Sequence, residues 1–283
     1  MTQSIKSGRL LVVGTPIGNL DDLSPRGRQV LAEADAIFCE DTRVTAKLTA
    51  RFGLPARRIS CPGPREESRV EELLERLGRG ECIALVSDAG MPTLSDPGAR
   101  LVEAAAAAGH AVVVVPGPSA PSAALALSGL PAVPHTFLGF LPARQGERER
   151  LLESLRERRE TLVWFESPHR LPDSLESAAR VLGPRRACVA REMTKLHEEA
   201  VRGRLPELAA AFRARGAGRG EITIVVEGLR GEPAAAAAED VDARIREALA
   251  AGAALKALSK AIARQTHRPA REIYARALEL AKS

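Results

Sequence analysis

Six apolar runs in this chain stop abruptly in residues that could do chemistry. Val86 is followed by Ser87-Asp88-Ala89-Gly90, within the stretch IALVSDAGMPTLSDPG, and Cys39 by Glu40-Asp41-Thr42-Arg43. Val13 runs into Gly14-Thr-Pro-Ile-Gly-Asn-Leu20 and Val115 into Pro116-Gly-Pro-Ser-Ala120. Phe165 leads to Glu166-Ser-Pro-His-Arg170 and Ala190 to Arg191-Glu-Met-Thr-Lys195. Asp88 can accept hydrogen bonds from ribose-like hydroxyls or balance a cation, and Gly90 lets backbone approach a bound molecule. A lone Asp-x-Gly is an ordinary Asx-type turn. Recurrence of the pattern points to a small-molecule site, because open α/β sheets hold ligands beyond the carboxyl ends of their strands.

The elements that would position these groups alternate regularly. Runs at residues 9–13, 36–39, 83–86 and 112–115 are short and apolar, a further element lies around 57–60, and helical patterns lie between them, which predicts a parallel α/β sheet. Ser24 as N-cap and Pro25 in the first turn start a helix, and Asp41 or Thr42 is placed to cap another through Phe52. After a proline-rich boundary at 116–121 the pattern changes. Strands are expected at 135–142, 161–165, 186–190 and 222–226, with a charged helix at 147–160. The expected organisation is an α/β domain at 1–117, a second α/β domain at 118–232, a linker at 231–238 and a helical, helix-turn-helix-like tail at 239–283.

Composition sets limits on function. Length and an apolar fraction of 45% suit two ordinary globular domains, and no run reaches the eighteen or so apolar residues of a membrane helix. The N-terminus lacks the progression of a secretory signal, so a cytoplasmic location and no membrane partner are expected. Cys39, Cys61, Cys82 and Cys188 are irregularly spaced and predict neither a metal site nor a disulfide framework. The loop after the first strand fits neither the dinucleotide nor the P-loop spacing. Aromatic residues at 3% argue against a stacking-platform RNA domain. In the tail, Lys256, Lys260, Arg264 and Arg268 recur every fourth residue, and no acid falls between Gly252 and Arg271. Such a stripe is either a solvated face or a phosphate-binding surface.

Taken in order, the blocks Thr15-Pro-Ile-Gly-Asn-Leu20, Glu40-Asp-Thr-Arg43, Ser87-Asp-Ala-Gly90, Pro116-Gly-Pro-Ser-Ala120, Gly139-Phe-Leu-Pro142, Glu166-Ser-Pro-His-Arg170 and Ala190-Arg-Glu-Met-Thr-Lys195 resemble the ribosomal RNA small subunit methyltransferase I family. The resemblance covers residues 9–283. It departs from the family pattern at Met91, where threonine is usual, and at 61–66. It implies the tetrapyrrole methylase fold, two α/β domains holding S-adenosylmethionine in the cleft between them. It further implies 2′-O-methylation of one cytidine of 16S rRNA in the small ribosomal subunit, and a homodimer. Cofactor contacts follow by position: Pro16, Asp88, Met91, Ser119, Ala120, Phe165, Glu166, Ala190 and Arg191.

Methyl transfer to a hydroxyl needs alignment and a proton acceptor. Glu40, Asp41, Glu166, Glu192, Lys195 and His169 are candidates, and the set Arg43, Glu192, Lys195, with Glu40 beside it, is the expected catalytic group. Arg43 and Arg191 are expected to keep Glu40 and Glu192 ionised and weakly basic. Lys195 serves as base only if its pKa is lowered, and otherwise contacts phosphate. Phosphate contacts are expected from Lys256, Lys260, Arg264, Arg268 and Arg271. Two competing functions are methylation of a porphyrin or corrin precursor, which needs no basic tail, and a ligand-sensing nucleic-acid regulator, which leaves the polar strand ends unexplained.

Overall fold

Arg9-Leu-Leu-Val-Val13 is almost wholly apolar, and in the computed structural model it lies between two parallel neighbours. The structure describes residues 8–63, 66–216, 218–230, 234–266 and 270–281. The chain forms two compact units, residues 1–228 and 229–283.

The first unit begins with β1 (Arg9–Val13), α1 (Pro25–Glu33), β2 (Ala36–Cys39), α2 (Thr42–Phe52), β3 (Arg57–Ser60), α3 (Glu67–Gly78), β4 (Cys82–Val86), α4 (Ala99–Ala107) and β5 (Ala111–Val115). The strands form a parallel sheet in the order β3-β2-β4-β1-β5. Alternate side chains feed opposite layers, as the two-residue period of a strand requires. Leu11 and Val13 join Leu31 and Leu48, whereas Leu10 and Val12 join Leu73, Leu77 and Leu101. The caps follow the residue types: Ser24 Oγ accepts from Gly27 N at 2.9 Å, and Asp41 Oδ1 from Arg43 N at 2.8 Å.

The second half of this unit holds α5 (Ala120–Ser128), β6 (His135–Phe140), α6 (Gln145–Ser154), β7 (Thr161–Glu166), α7 (Leu171–Leu182), β8 (Arg186–Arg191), β9 (Glu199–Arg204), α8 (Leu205–Arg215) and β10 (Ile222–Val226). Its sheet runs β6-β7-β10-β8-β9, with β10 antiparallel to both of its neighbours. Trp164, Val189 and Ile224 face α6, α7 and α8, and Val163, Cys188 and Val225 face α5. Two features depart from expectation. Strand β9 is unanticipated, and it pairs with β8 along its whole length. Helix α6 ends at Ser154 because the charged run 156–160 has no apolar residue to bury.

The second unit consists of α9 (Ala234–Ala250), α10 (Leu255–Thr266) and α11 (Ala270–Leu280). The expected linker at 231–238 is helical from Ala234, since a run of alanine favours helix over flexible chain. Val241, Ile245, Leu258, Ile262, Ile273 and Ala277 form its core.

A cleft between the two sheets as candidate active site

The loop after β1 fastens the two halves together. Thr15 N donates to Gly90 O at 2.8 Å and Gly90 N returns to Thr15 O at 3.1 Å, so the first loop and the β4 loop are paired. On its other side Asn19 N donates to Thr194 Oγ1 at 3.0 Å. Gly18 is required there by space: a Cβ would lie 2.6 Å from both Lys195 Cγ and Thr194 Oγ1.

Between these loops is a cavity of ≈ 300 Å³. Met91, Leu94 and Asp96 form its wall on the first sheet's side, and Ser119 and Ala120, at the start of α5, join it. Phe140, Phe165, Glu166, Met193 and Glu221 form the wall on the second. Five of the expected cofactor contacts, Met91, Ser119, Ala120, Phe165 and Glu166, thus meet in one space. The other four lie elsewhere. Pro16 and Asp88 line a smaller hollow of ≈ 50 Å³ with Thr45 and Ser87. Ala190 is buried in the core with Ile17 and Met193, and the Arg191 guanidinium turns to Glu199 at 3.1 Å.

Backbone strain is concentrated at this cleft. Among the described residues, those other than glycine with positive φ are Thr93, Ser95, Glu192 and Thr194, two on each facing loop. Strained backbone persists where the surrounding structure over-determines it, and it clusters at sites of function.

The two sheets' sides of the cleft differ in electrostatics; Asp96 and Glu221 line the cavity, and Glu40, Asp88, Glu192 and Lys195 lie in the loops around it, outside its wall. On the first side, burial raises the pKa of Glu40, assisted by the charges of Asp88, Asp96 and Asp41. Burial likewise raises Asp88 and Asp96. Arg43 does not neutralise Glu40. Asp41 takes it at 2.6 Å, because the N-cap carboxylate already holds the Arg43 amide, and that pairing lowers Asp41 to about 2. The expectation of a weakly basic Glu40 is therefore corrected.

On the second side Lys195 Nζ donates to Glu192 Oε1 at 2.8 Å and to Glu221 Oε2 at 3.0 Å. Burial alone would lower the Lys195 pKa, but these two carboxylates outweigh it and raise the value, so Lys195 is held as an ammonium. Burial pushes Glu192 up, but bonds from Lys195 and from Glu221 N, with the charge of Arg191, bring it below its ordinary value. Glu192 is thus ionised as expected, with Lys195 rather than Arg191 as its hydrogen-bonded partner. The Glu166 side chain is fully buried. Its Oε1 is 3.3 Å from Arg170 Nε and accepts from Ser167 N at 2.9 Å. Its Oε2 is buried and has no hydrogen-bond partner among the described residues.

In the second unit Lys256 and Lys260 are exposed on α10, opposite Leu258 and Ile262, and Arg271 is exposed on α11. The Arg264 side chain, Arg268 and Pro269 lie outside the described residues.

Residues 9–209 match the family described as Tetrapyrrole (Corrin/Porphyrin) Methylases. The chain is 42% identical over 275 residues to the ribosomal RNA small subunit methyltransferase I of Mesorhizobium japonicum, covering 96% of this chain and 92% of that protein. The Thermotoga maritima protein of the same name is 44% identical, covering 78% and 99%. This chain belongs to the ribosomal RNA small subunit methyltransferase I family. Among solved structures, cobalt precorrin-4 methyltransferase superposes with a TM-score of 0.58 at 20% identity, covering 80% of this chain and 97% of that one. Diphthine synthase gives 0.60 at 17%, covering 78% and 90%. These two share the fold with the methyltransferase I family.

Sequence reading for this methyltransferase missed Asp96, Phe140 and the segment 220–223 in the cavity wall. Asp96 stood in the stretch already singled out, in a second Ser-Asp-x-Gly-like cluster. Glu221 precedes an apolar run instead of following one. Because β10 runs antiparallel to β7 and β8, its start lies where their ends lie.

Proposed function

We propose that this chain transfers the methyl group of S-adenosylmethionine to the 2′-hydroxyl of a cytidine in 16S rRNA of the small ribosomal subunit, in the cytoplasm. The supporting observation is the mostly apolar cavity between the halves, closed by strained loops, in a member of a family of that name. The cavity suits the cofactor: Ile17, Met91, Phe140, Phe165 and Met193 offer apolar surface, and Glu166 lies in its wall. These residues, with Ser119 and Ala120, would hold it. S-adenosylmethionine supplies a methyl group already activated by its sulfonium.

The protein's own work is to align the hydroxyl and to receive its proton. As the ribose oxygen bonds to the methyl carbon, the carbon–sulfur bond breaks, sulfur keeps the electron pair, and the hydroxyl proton must leave. Lys195, already protonated, is a fixed cation for the substrate's phosphate or developing charge. Glu40, Asp88 and Asp96 are the carboxylates made more basic by burial, and Asp96 is the one in the cavity wall, which favours it as acceptor. Arg43, exposed at the start of α2, and the Lys256, Lys260, Arg264, Arg268 and Arg271 group are proposed as phosphate contacts. A homodimer is supported by edge strand β5, where Val112, Val113 and Val114 are 36%, 42% and 56% exposed.

Incubation with methyl-labelled S-adenosylmethionine and either small ribosomal subunits or a precorrin tests the function. Label on the rRNA is expected. Label on the precorrin alone would overturn it.

A further inference from the structure

Beside the cavity runs an open groove of ≈ 550 Å³ that shares Pro168 and Gly220 with it. Among the described residues its charged or titratable side chains are His169 and Arg219, and no carboxylate lines it. Arginines nearby are all engaged. Arg213 meets Asp173 and Glu176 at 2.6 and 2.7 Å, Arg215 meets Glu199 at 2.7 Å, and Arg191 meets the same Glu199 at 3.1 Å. Arg219 is exposed and makes no ion pair among the described residues. The neighbouring Glu221 does not serve it, since that carboxylate is taken by Lys195.

The backbone that carries Arg219 is fixed by the candidate catalytic loop. Arg219 O accepts from Arg191 Nη1 at 3.2 Å, and Glu221 N donates to Glu192 Oε1 at 3.0 Å. Between them Gly220, at φ +115, packs so tightly on Glu192 that a Cβ would fall 2.3 Å from its Oε1. That φ favours glycine, and a side chain there would have to displace the Glu192 carboxylate. The Glu192–Lys195 pair and Arg219 are therefore held in one frame at the cleft's edge.

We infer that this groove seats a phosphodiester of the RNA strand next to the nucleotide being methylated, with Arg219 as its charged contact; the inference rests on the RNA reading above. A guanidinium matches phosphate with two parallel hydrogen bonds, and such contacts set the register of a strand without reading its bases. Arg219 so placed fixes which ribose reaches the cavity.

The test compares wild type, Arg219→Ala and Arg219→Lys in binding to purified small ribosomal subunits, and to a short cytidine-containing single-stranded RNA, across a salt series. S-adenosylmethionine affinity is measured by calorimetry in parallel. Arg219→Ala is expected to bind RNA roughly tenfold more weakly and to lose about 0.7 to 1 from the salt slope. Arg219→Lys recovers the slope but not the full affinity, lacking the planar fork. Cofactor affinity stays at the wild-type value. Wild-type RNA affinity and slope in Arg219→Ala would overturn the inference while leaving the RNA reading intact. A loss of cofactor affinity would overturn it too, by giving the groove to the cofactor. Failure of the wild-type protein to bind either RNA would overturn the RNA reading itself, and this inference with it.

Discussion

The loops on the two sides of the cleft, called its walls below, carry the same kind of residue in different surroundings. On the first sheet's side Glu40, Asp88 and Asp96 crowd together, and burial raises all three. On the second sheet's side Glu192 and Glu199 are each locked to cations, and both are lowered. For Glu199 the Arg215 hydrogen bond is the leading cause. A carboxylate without a countercharge is ready to take a proton, whereas one in a hydrogen-bonded ion pair is a fixed charge that holds its neighbours in place. The first wall is suited to proton transfer and the second to positioning.

The largest expected effect breaks the first wall. Asp96→Asn removes the proposed acceptor in the cavity and should slow methyl transfer by about 10²–10⁴-fold, the usual contribution of a general base. Cofactor affinity should change little, since the amide keeps the shape and can still bond Ser87. Single-turnover rates against calorimetric affinity separate the two. Lys195→Met attacks the second wall and should cost roughly ten- to a hundredfold in turnover, by removing a preorganised charge and leaving Glu192 and Glu221 facing one another. Glu192→Gln should cost less, because Lys195 retains Glu221. Equal turnover in both variants and wild type would remove this wall from the mechanism.

Stability should shift in opposite senses on the two walls. The Asp96 carboxyl has a raised folded pKa, so its ionised form destabilises the fold above that pKa, and the penalty fades as pH falls through it. Glu192 has a lowered folded pKa, so it stabilises the fold above the unfolded carboxyl value, and this is lost as pH falls through the lowered value. At pH 7 Asp96→Asn should raise Tm and Glu192→Gln should lower it, each by about 1–3 °C. The gain from Asp96→Asn should shrink as pH drops into the carboxyl range. Thermal melts at a few pH values check both signs.

The smallest effect is expected from the second unit. Replacing Lys256, Lys260 and Arg271 by Ala should leave cofactor affinity unchanged and flatten the salt dependence of subunit binding, its slope falling by roughly one for each phosphate no longer neutralised. Equal slopes would mean that the stripe only faces water.

Much of this was legible in the sequence where chemistry follows a strand. Parallel strands β1, β2, β4 and β5 all point their ends at the ligand side, so the polar residues after each apolar run mark where a site lies, and within those blocks it is the family resemblance that implies Met91, Ser119 and Ala120. The same rule failed for Glu221 and Thr223, because an antiparallel strand brings its beginning to the site, and strand direction is not written in a five-residue apolar run. Ion pairing was the other illegible feature. Arg43 lies three residues from Glu40 and two from Asp41, and only the cap geometry of α2 decides that Asp41 takes it. Lys195 carries no sequence mark of Glu221, 26 residues away.

The division of labour between the walls is tested most directly by following the methyl group to its atom. Full-length protein and Asp96→Asn would each be given labelled S-adenosylmethionine and purified small ribosomal subunits, and the rRNA digested to nucleosides for mass analysis. Wild type should yield label as 2′-O-methylcytidine, and the variant the same product at least about a hundredfold more slowly with unchanged cofactor and subunit affinity. Label on the base ring, or an Asp96→Asn rate equal to wild type, would contradict the account.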